Sequence, residues 1–231
     1  MKLNDLFDCV YYINLDHRTD RKENFWKLNS HLLDTERTVR ISGINGINKK
    51  HNRDYDSIIT ARAAYSVSYL KPFVDALKNN HNDILILEDD ADPMFDSVEY
   101  FKRYKQEAEE NEYEIFFLGG TVISRLNKFS ENLYKLSGNI LATQSVCYNN
   151  RNNIFQELSN LPQNVEDMKK FLISRNDFCL DTLIGKHFTK TKNSFLPNKI
   201  LFGQYESHSD IEAQTTSYNN MMLSQFKKYK T

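Results

Sequence analysis

The sequence predicts an α/β fold with a mostly parallel sheet and helices on both of its faces. Short β-rich apolar runs alternate with longer runs of helical periodicity through the first half of the chain, the pattern that builds parallel sheets. Three of those runs end in polar or glycine residues, "NLD", "LEDD" and "LGGT". The carboxyl ends of the strands are where α/β sheets hold their ligands.

The elements follow in order. "DCVYYINLD" (Asp8 to Asp16) reads as a buried first strand. The next segment is helical, with Thr19 or Asp20 as its cap and Phe25, Leu28, Leu32 and Leu33 as its apolar stripe. "TERTVRISGING" reads as a second strand ending in glycines, and a polar stretch, "NKKHNRDYDS", follows it. "IITARAAYSVSYLKPFVDALKNN" is a long helix that Pro72 is expected to kink or split. "DILILEDD" is the third strand, "DSVEYFKRYKQEAEEN" a charged helix and "YEIFFLGGT" the fourth strand. The second half is less regular. "NLYKLS" and "NILATQSVCYNN" read as strands forming a hairpin, "RNNIFQELSNL" and "DFCLDTLIGKHF" as helices, and the segment after "SFLPNKILFG" as a polar loop. No linker, repeat or low-complexity tract interrupts the chain. The expected organisation is one domain over 1–231, with a ligand-binding half to about residue 125 and an irregular C-terminal lobe from about 126 onward.

Composition narrows the function. The 231 residues are 40% hydrophobic and 26% charged, with a formal net charge of -1, which suits a globular protein and lacks the basic excess of a nucleic-acid binder. Cys9, Cys147 and Cys179 form no CxxC pair, so they suggest neither a zinc ribbon nor a disulfide framework. The opening residues carry acids within their apolar part, unlike a secretory signal. No apolar run approaches the roughly 20 residues of a membrane-spanning helix. A cytoplasmic, soluble protein is the expectation.

The stretch "ILILEDDADP" poses the chemical question. Four apolar residues lead into Glu88, Asp89 and Asp90, then Asp92. Clustered carboxylates repel, and burial adds a desolvation cost. A cation relieves both. Glu88 and Asp90, or Asp90 and Asp92, are one residue apart, so on an extended strand they share a face. A divalent metal such as Mn2+ or Mg2+, with open positions for phosphate, suits those oxygens. A phosphoacceptor domain is disfavoured, because the next strand ends in "LGGT" without a carboxylate. A solvated loop or a helix cap is the plain structural alternative.

Taken together, "YYINLDHRTDRKENF", "RISGINGIN", "LILEDDADP", "YEIFFLGGT", "FCLDTLI" and "QYESHSDIEAQT" resemble, in order, the motifs of glycosyltransferase family 25. That group contains lipopolysaccharide sugar transferases and procollagen galactosyltransferases. The resemblance spans nearly the whole chain. It implies a GT-A fold, Rossmann-like in its nucleotide half, with an acceptor half after it. It also implies a UDP-sugar donor, commonly UDP-galactose, a glycan, glycolipid or protein-linked acceptor, a divalent cation, and inversion at the anomeric carbon.

The matched positions carry expected roles. Asn14, Asp16, Arg18 and Arg21 meet the nucleoside and diphosphate, Asp89 the ribose, and Asn45 and Ser68 the donor. Glu88, Asp90 and Asp92, with His208, Asp210 and Glu212 closing over them, form the metal site. Asp181 lies in apolar surroundings, where partial burial would raise its pKa and suit it as general base. The chain departs from the family at "ARAAYSVSY". Ala61 and Ala64 replace two glycines, Tyr69 replaces a histidine and is left to hydrogen-bond the donor, and Asn45 replaces an aspartate. A protein of the same fold that binds nucleotide sugar or glycan without turnover is the alternative. In the tail, Met222, Leu223 and Phe226 form a stripe beside Lys227, Lys228 and Lys230, a weak, salt-sensitive contact for an anionic membrane.

Overall fold

The structure, a computed structural model, describes residues 1–46, 54–206 and 218–230. Its first half comprises β1 (Cys9–Leu15), α1 (Thr19–Asn29), β2 (Thr38–Gly43), α2 (Tyr55–Asn79), β3 (Asp83–Glu88), β4 (Ala91–Pro93), α3 (Val98–Glu110) and β5 (Ile115–Phe117). Short strands follow: β6 (Thr121–Val122), β7 (Asn127–Lys128), β8 (Leu133–Lys135), β9 (Ile140–Leu141) and β10 (Ser145–Asn149). Then come α4 (Ile154–Ser159), α5 (Val165–Arg175), α6 (Leu180–Leu183), a π-helical turn (Ile184–Phe188) and α7 (Thr189–Thr191). β11 (Ser194–Pro197), β12 (Phe202–Gln204) and α8 (Tyr218–Tyr229) complete the order.

The fold is mixed α/β around an eight-stranded sheet of order β2-β1-β3-β10-β5-β11-β8-β7. Three pairings are parallel and four antiparallel. Six strands therefore point one way, and β10 and β8 run against them. The period of two along each strand separates the core into two layers. Tyr11, Ile13, Ile84 and Ile86 face α2, α4 and α5. Val10, Tyr12, Leu85 and Leu87 face α1 and α3. Helices thus cover both faces, and strands from both halves of the chain share one sheet.

Several expectations change. Arg18, not Thr19 or Asp20, occupies the N-cap of α1, and no side chain caps that end. Asp20 lies in the first turn, where a carboxylate suits the positive end of the helix dipole. α2 runs unbroken through Pro72. β8 and β10 form no hairpin: β8 pairs with β11 and β7, while β10 inserts between β3 and β5. α5 is a helix beyond those expected, although its signals are local. Asn164 caps it by accepting from the Asp167 amide at 3.0 Å, and Met168 and Leu172, one turn apart, are buried.

The tail is a docked helix. Met222 and Phe226 are 1% and 4% exposed, and the Phe226 ring lies 6.0 Å from that of Tyr134. The Leu126 amide donates to the Tyr229 carbonyl at 2.9 Å, and the Tyr134 hydroxyl to that of Lys230 at 3.1 Å. Of the stripe assigned to a membrane, Met222 and Phe226 are therefore used in packing on the domain, while Leu223 is exposed. Among the described residues, no helix is long and apolar enough to cross a membrane.

Candidate functional site

The site forms where β1, β2 and β3 end side by side. Ile13 is in register with Glu88, and Asn14 with Ser42, so the residues that follow gather at one rim. A cavity of about 490 Å³ opens there. Its acidic wall is Glu88, Asp89 and Asp90, joined by Asn14, Arg21, Asn45, Ser68 and Asp181. The sequence reading expected functional roles at these eight positions, and they line a common space.

The acidic wall has an internal counter-ion. Arg21, projecting from α1, donates through Nη1 to Asp89 at 2.7 Å and through Nη2 to Asp90 at 3.1 Å. The Asn14 amide donates to the other oxygen of Asp89 at 2.8 Å. Burial still raises Asp89, to about 6; Arg21 opposes the rise and the Asp90 charge adds to it. Glu88 is pushed further, to about 8, by burial first and then by the charge of Asp90. Its Oε1 accepts from the Tyr65 hydroxyl at 2.9 Å and from the Thr143 hydroxyl at 3.2 Å, and the two hydroxyls also bond each other. The Tyr65 phenol, raised by burial and by the Glu88 charge, remains a donor.

Asp181 sits at the start of α6. Its Oδ1 accepts from the Thr182 amide at 2.5 Å, from the Thr182 hydroxyl at 3.2 Å, and from the Cys179 thiol. Burial and the neighbouring Asp181 charge push Cys179 upward, so it stays a thiol. Among the described residues nothing hydrogen-bonds Asp181 Oδ2, which leaves that oxygen for a ligand.

Other expected residues lie elsewhere. β3 stops at Glu88 and the chain turns at Asp89 and Asp90 before β4 begins. The alternation that would align Glu88, Asp90 and Asp92 on one strand face is therefore broken. Asp92 instead accepts from Asn219 on α8 at 3.1 Å and does not line the cavity. Asp16 is exposed and accepts from Arg40 at 2.6 Å and Ser42 at 2.8 Å; those bonds hold its carboxyl below the usual range. Arg18 pairs with Asp20 at 2.9 Å rather than lining the cavity. Tyr69 is fully buried, with its hydroxyl on the Thr143 carbonyl and the Tyr148 hydroxyl at 3.2 Å each. It therefore contacts no donor. His208, Asp210 and Glu212 lie outside the described residues.

The glycine-rich strand ends serve packing as well as ligand space. A Cβ on Gly119 of "LGGT" would fall 1.9 Å from the Phe202 carbonyl oxygen, so that strand end packs on β12 instead of facing the cavity. A Cβ on Gly46 would fall 2.6 Å from Ala61 Cα and 2.7 Å from Ala64 Cβ. Close approach of this loop to α2 thus needs glycine at 46 and small residues at 61 and 64. Ser68 fastens the same contact by accepting from the Ile44 amide at 2.7 Å.

Other residues without an expected role, Arg62 and Tyr65 among them, also line the cavity. Ala61, Arg62, Tyr65 and Ser68 form one stripe of α2, and their helical spacing around the recognised Ser68 is the signal that could have found them. Thr143 arrives because β10 runs antiparallel to β3 and so starts where β3 ends. Gln204 and Tyr205 arrive through the pairing of β12 with β4; the Tyr205 amide donates to the Asp90 carbonyl at 2.6 Å. Phe178, Cys179 and Thr182 flank Asp181.

Asp90 Oδ1 is buried with no hydrogen-bond partner. An orphaned carboxylate oxygen beside a second carboxylate has the donor chemistry a divalent cation takes, with further positions left to phosphate or water. Among the described residues, no three His, Cys, Asp or Glu side chains gather closely enough to complete a metal site. Glu88 and Asp90 are thus a partial set that fits a cation shared with a ligand.

No family model matches the chain, and no curated protein does. Among solved structures, mannose-1-phosphate geranyltransferase from Thermus thermophilus aligns over 82% of this chain and 72% of its own, at 12% identity and a TM-score of 0.42. An apo UDP-glucose pyrophosphorylase aligns over 95% of this chain and 82% of its own, at 11% identity and a TM-score of 0.43. A197 from STIV aligns over 90% and 92%, at 9% identity and a TM-score of 0.39. At these scores the likenesses carry no argument about activity.

Proposed function

We propose that the chain is a GT-A-type glycosyltransferase of the family 25 kind, moving a hexose, galactose first among candidates, from a UDP-sugar to a glycan or hydroxylated acceptor. The observation that carries this reading is the convergence of Glu88, Asp89, Asp90, Arg21 and Asp181 on one cavity at the carboxyl ends of three parallel strands. In an inverting transfer the acceptor oxygen attacks the anomeric carbon as the bond from that carbon to the diphosphate breaks, and UDP leaves with the bonding electrons. The acceptor's proton goes to Asp181, whose Oδ1 is anchored by Thr182 and whose Oδ2 is available. Mn2+ or Mg2+ on Asp90 and Glu88 would neutralise charge on the departing diphosphate. Arg21 orients both aspartates, and the Tyr65 and Thr143 hydroxyls hold Glu88.

A binding protein without turnover is the second reading. It is favoured by the commitment of Arg21 to both Asp89 and Asp90, which already compensates part of the acidic charge. UDP release from a panel of UDP-sugars with Mn2+ separates the two. The enzyme reading predicts release by the natural chain and a loss of about a hundredfold or more in Asp90→Asn, the scale of several kcal/mol of metal-assisted charge stabilisation. Asp90→Asn is expected to stay folded, because the change removes a like charge beside Glu88. Unchanged release by Asp90→Asn at saturating Mn2+ removes Asp90 as a ligand. UDP binding without release by the natural chain leaves the binding reading.

A further inference from the structure

The cavity wall holds four carboxylates, Glu88, Asp89, Asp90 and Asp181, against two arginines, Arg21 and Arg62. Arg21 is committed to Asp89 and Asp90 through both terminal nitrogens. Arg62 is arranged differently. Its guanidinium carbon lies 5.2 Å from the centre of the Phe178 ring, and among the described residues no carboxylate is within ion-pair distance of it. Phe178 is exposed and joins Arg62 in lining the cavity. The pair links α2 to the segment that carries Asp181.

A wall this acidic repels a nucleoside diphosphate unless a cation offsets it. A planar guanidinium suits phosphate because two parallel N–H groups can meet two oxygens, and stacking on an aromatic face fixes the plane without using the donors. We propose that Arg62, held over Phe178, is the residue that binds the diphosphate of the donor, with Phe178 as its positioning residue. This assignment rests on the nucleotide-sugar reading of the cavity. It concerns a position in the "ARAAYSVSY" segment, where the chain departs from its family resemblance, and it makes part of diphosphate affinity independent of metal.

The test is binding of UDP, uridine and inorganic pyrophosphate to the full chain in EDTA, compared among the natural protein, Arg62→Ala, Arg62→Lys and Phe178→Ala. Arg62→Ala is expected to weaken UDP and pyrophosphate by about tenfold or more, the scale of a charge-assisted hydrogen bond. Uridine should bind as before. Arg62→Lys, which keeps the charge but loses the planar fork, and Phe178→Ala, which keeps the arginine but frees it, should fall between. An unchanged melting temperature in each variant shows that the fold is intact. Equal UDP affinity in Arg62→Ala and the natural chain overturns the assignment and leaves the nucleotide-sugar reading standing, as does an equal loss for uridine and UDP. Failure of the natural chain to bind UDP and pyrophosphate in EDTA overturns the Arg62 assignment, and failure to bind UDP with Mn2+ as well overturns the nucleotide-sugar reading. Binding of pyrophosphate alone, dependent on Arg62, keeps the anion site and removes the nucleoside.

Discussion

Asp181→Asn lowers the turnover of UDP-sugar-dependent transfer by about two to four orders of magnitude, the scale of a lost general base, and leaves UDP affinity unchanged. The expectation follows from how the two oxygens of Asp181 are used. Oδ1 accepts from the Thr182 amide, the Thr182 hydroxyl and the Cys179 thiol, and the asparagine carbonyl can keep those bonds. Only the free position changes, from an oxygen that can take a proton to an amide that cannot. With those anchors kept, the segment that carries Phe178 should hold its place and the Arg62 contact with the diphosphate should persist. Steady-state kinetics, with UDP titration as the companion measurement, check both halves. Collapse of UDP affinity places Asp181 in the donor site. Unchanged turnover moves the base elsewhere.

Glu88→Gln stabilises the protein at high pH and does almost nothing at low pH. Burial and the Asp90 charge raise Glu88 from 4.5 to about 8. A carboxyl raised in the folded state binds more protons there than in the unfolded chain, so stability falls as pH rises between the two values. The favourable state is fully present below about 4.5 and is lost as pH climbs through about 8. Asp89, raised from 3.8 to about 6, acts in the same direction over a lower window. Glutamine keeps the acceptor that Tyr65 and Thr143 use and never ionises. At about 1.4 kcal/mol per pH unit, the variant's gain approaches roughly 3–5 kcal/mol at about pH 9 and vanishes near pH 4. Guanidinium denaturation of both proteins across that range measures it. A difference independent of pH contradicts a Glu88 carboxyl that its surroundings favour in the protonated form.

What the sequence revealed and what it hid have physical reasons. Local periodicity identified β1, α2, β3 and α3, and the two-residue period of "ILIL" accounts for the two core layers directly. The acidic wall was visible as composition at a strand end. The identity of its nearest cation was not, because Arg21 and Asp89 meet only when β1 and β3 lie parallel in register. The insertion of β10 has no local signature, so Thr143 could not be linked to Glu88 from spacing. Asp92 was misassigned because strand alternation was extended through a turn. The tail stripe looked free because its partners, Tyr134 among them, lie far away in sequence. Tyr65 and Tyr69 share one helix four residues apart, yet Tyr65 faces the cavity and Tyr69 the core. Helical geometry alone does not choose between them; the sheet beneath does.

The central claim is that the cavity beside Glu88, Asp89 and Asp90 holds a nucleoside diphosphate. Calorimetric titration of UDP into the full chain, with Mn2+ and then with EDTA, tests it most directly. The account predicts one site per chain, detectable affinity in both conditions, and tighter binding with metal in the natural protein but not in Asp90→Asn. Absence of binding to the folded protein in either condition, at UDP up to about 1 mM, the weak end of specific affinities, would contradict it.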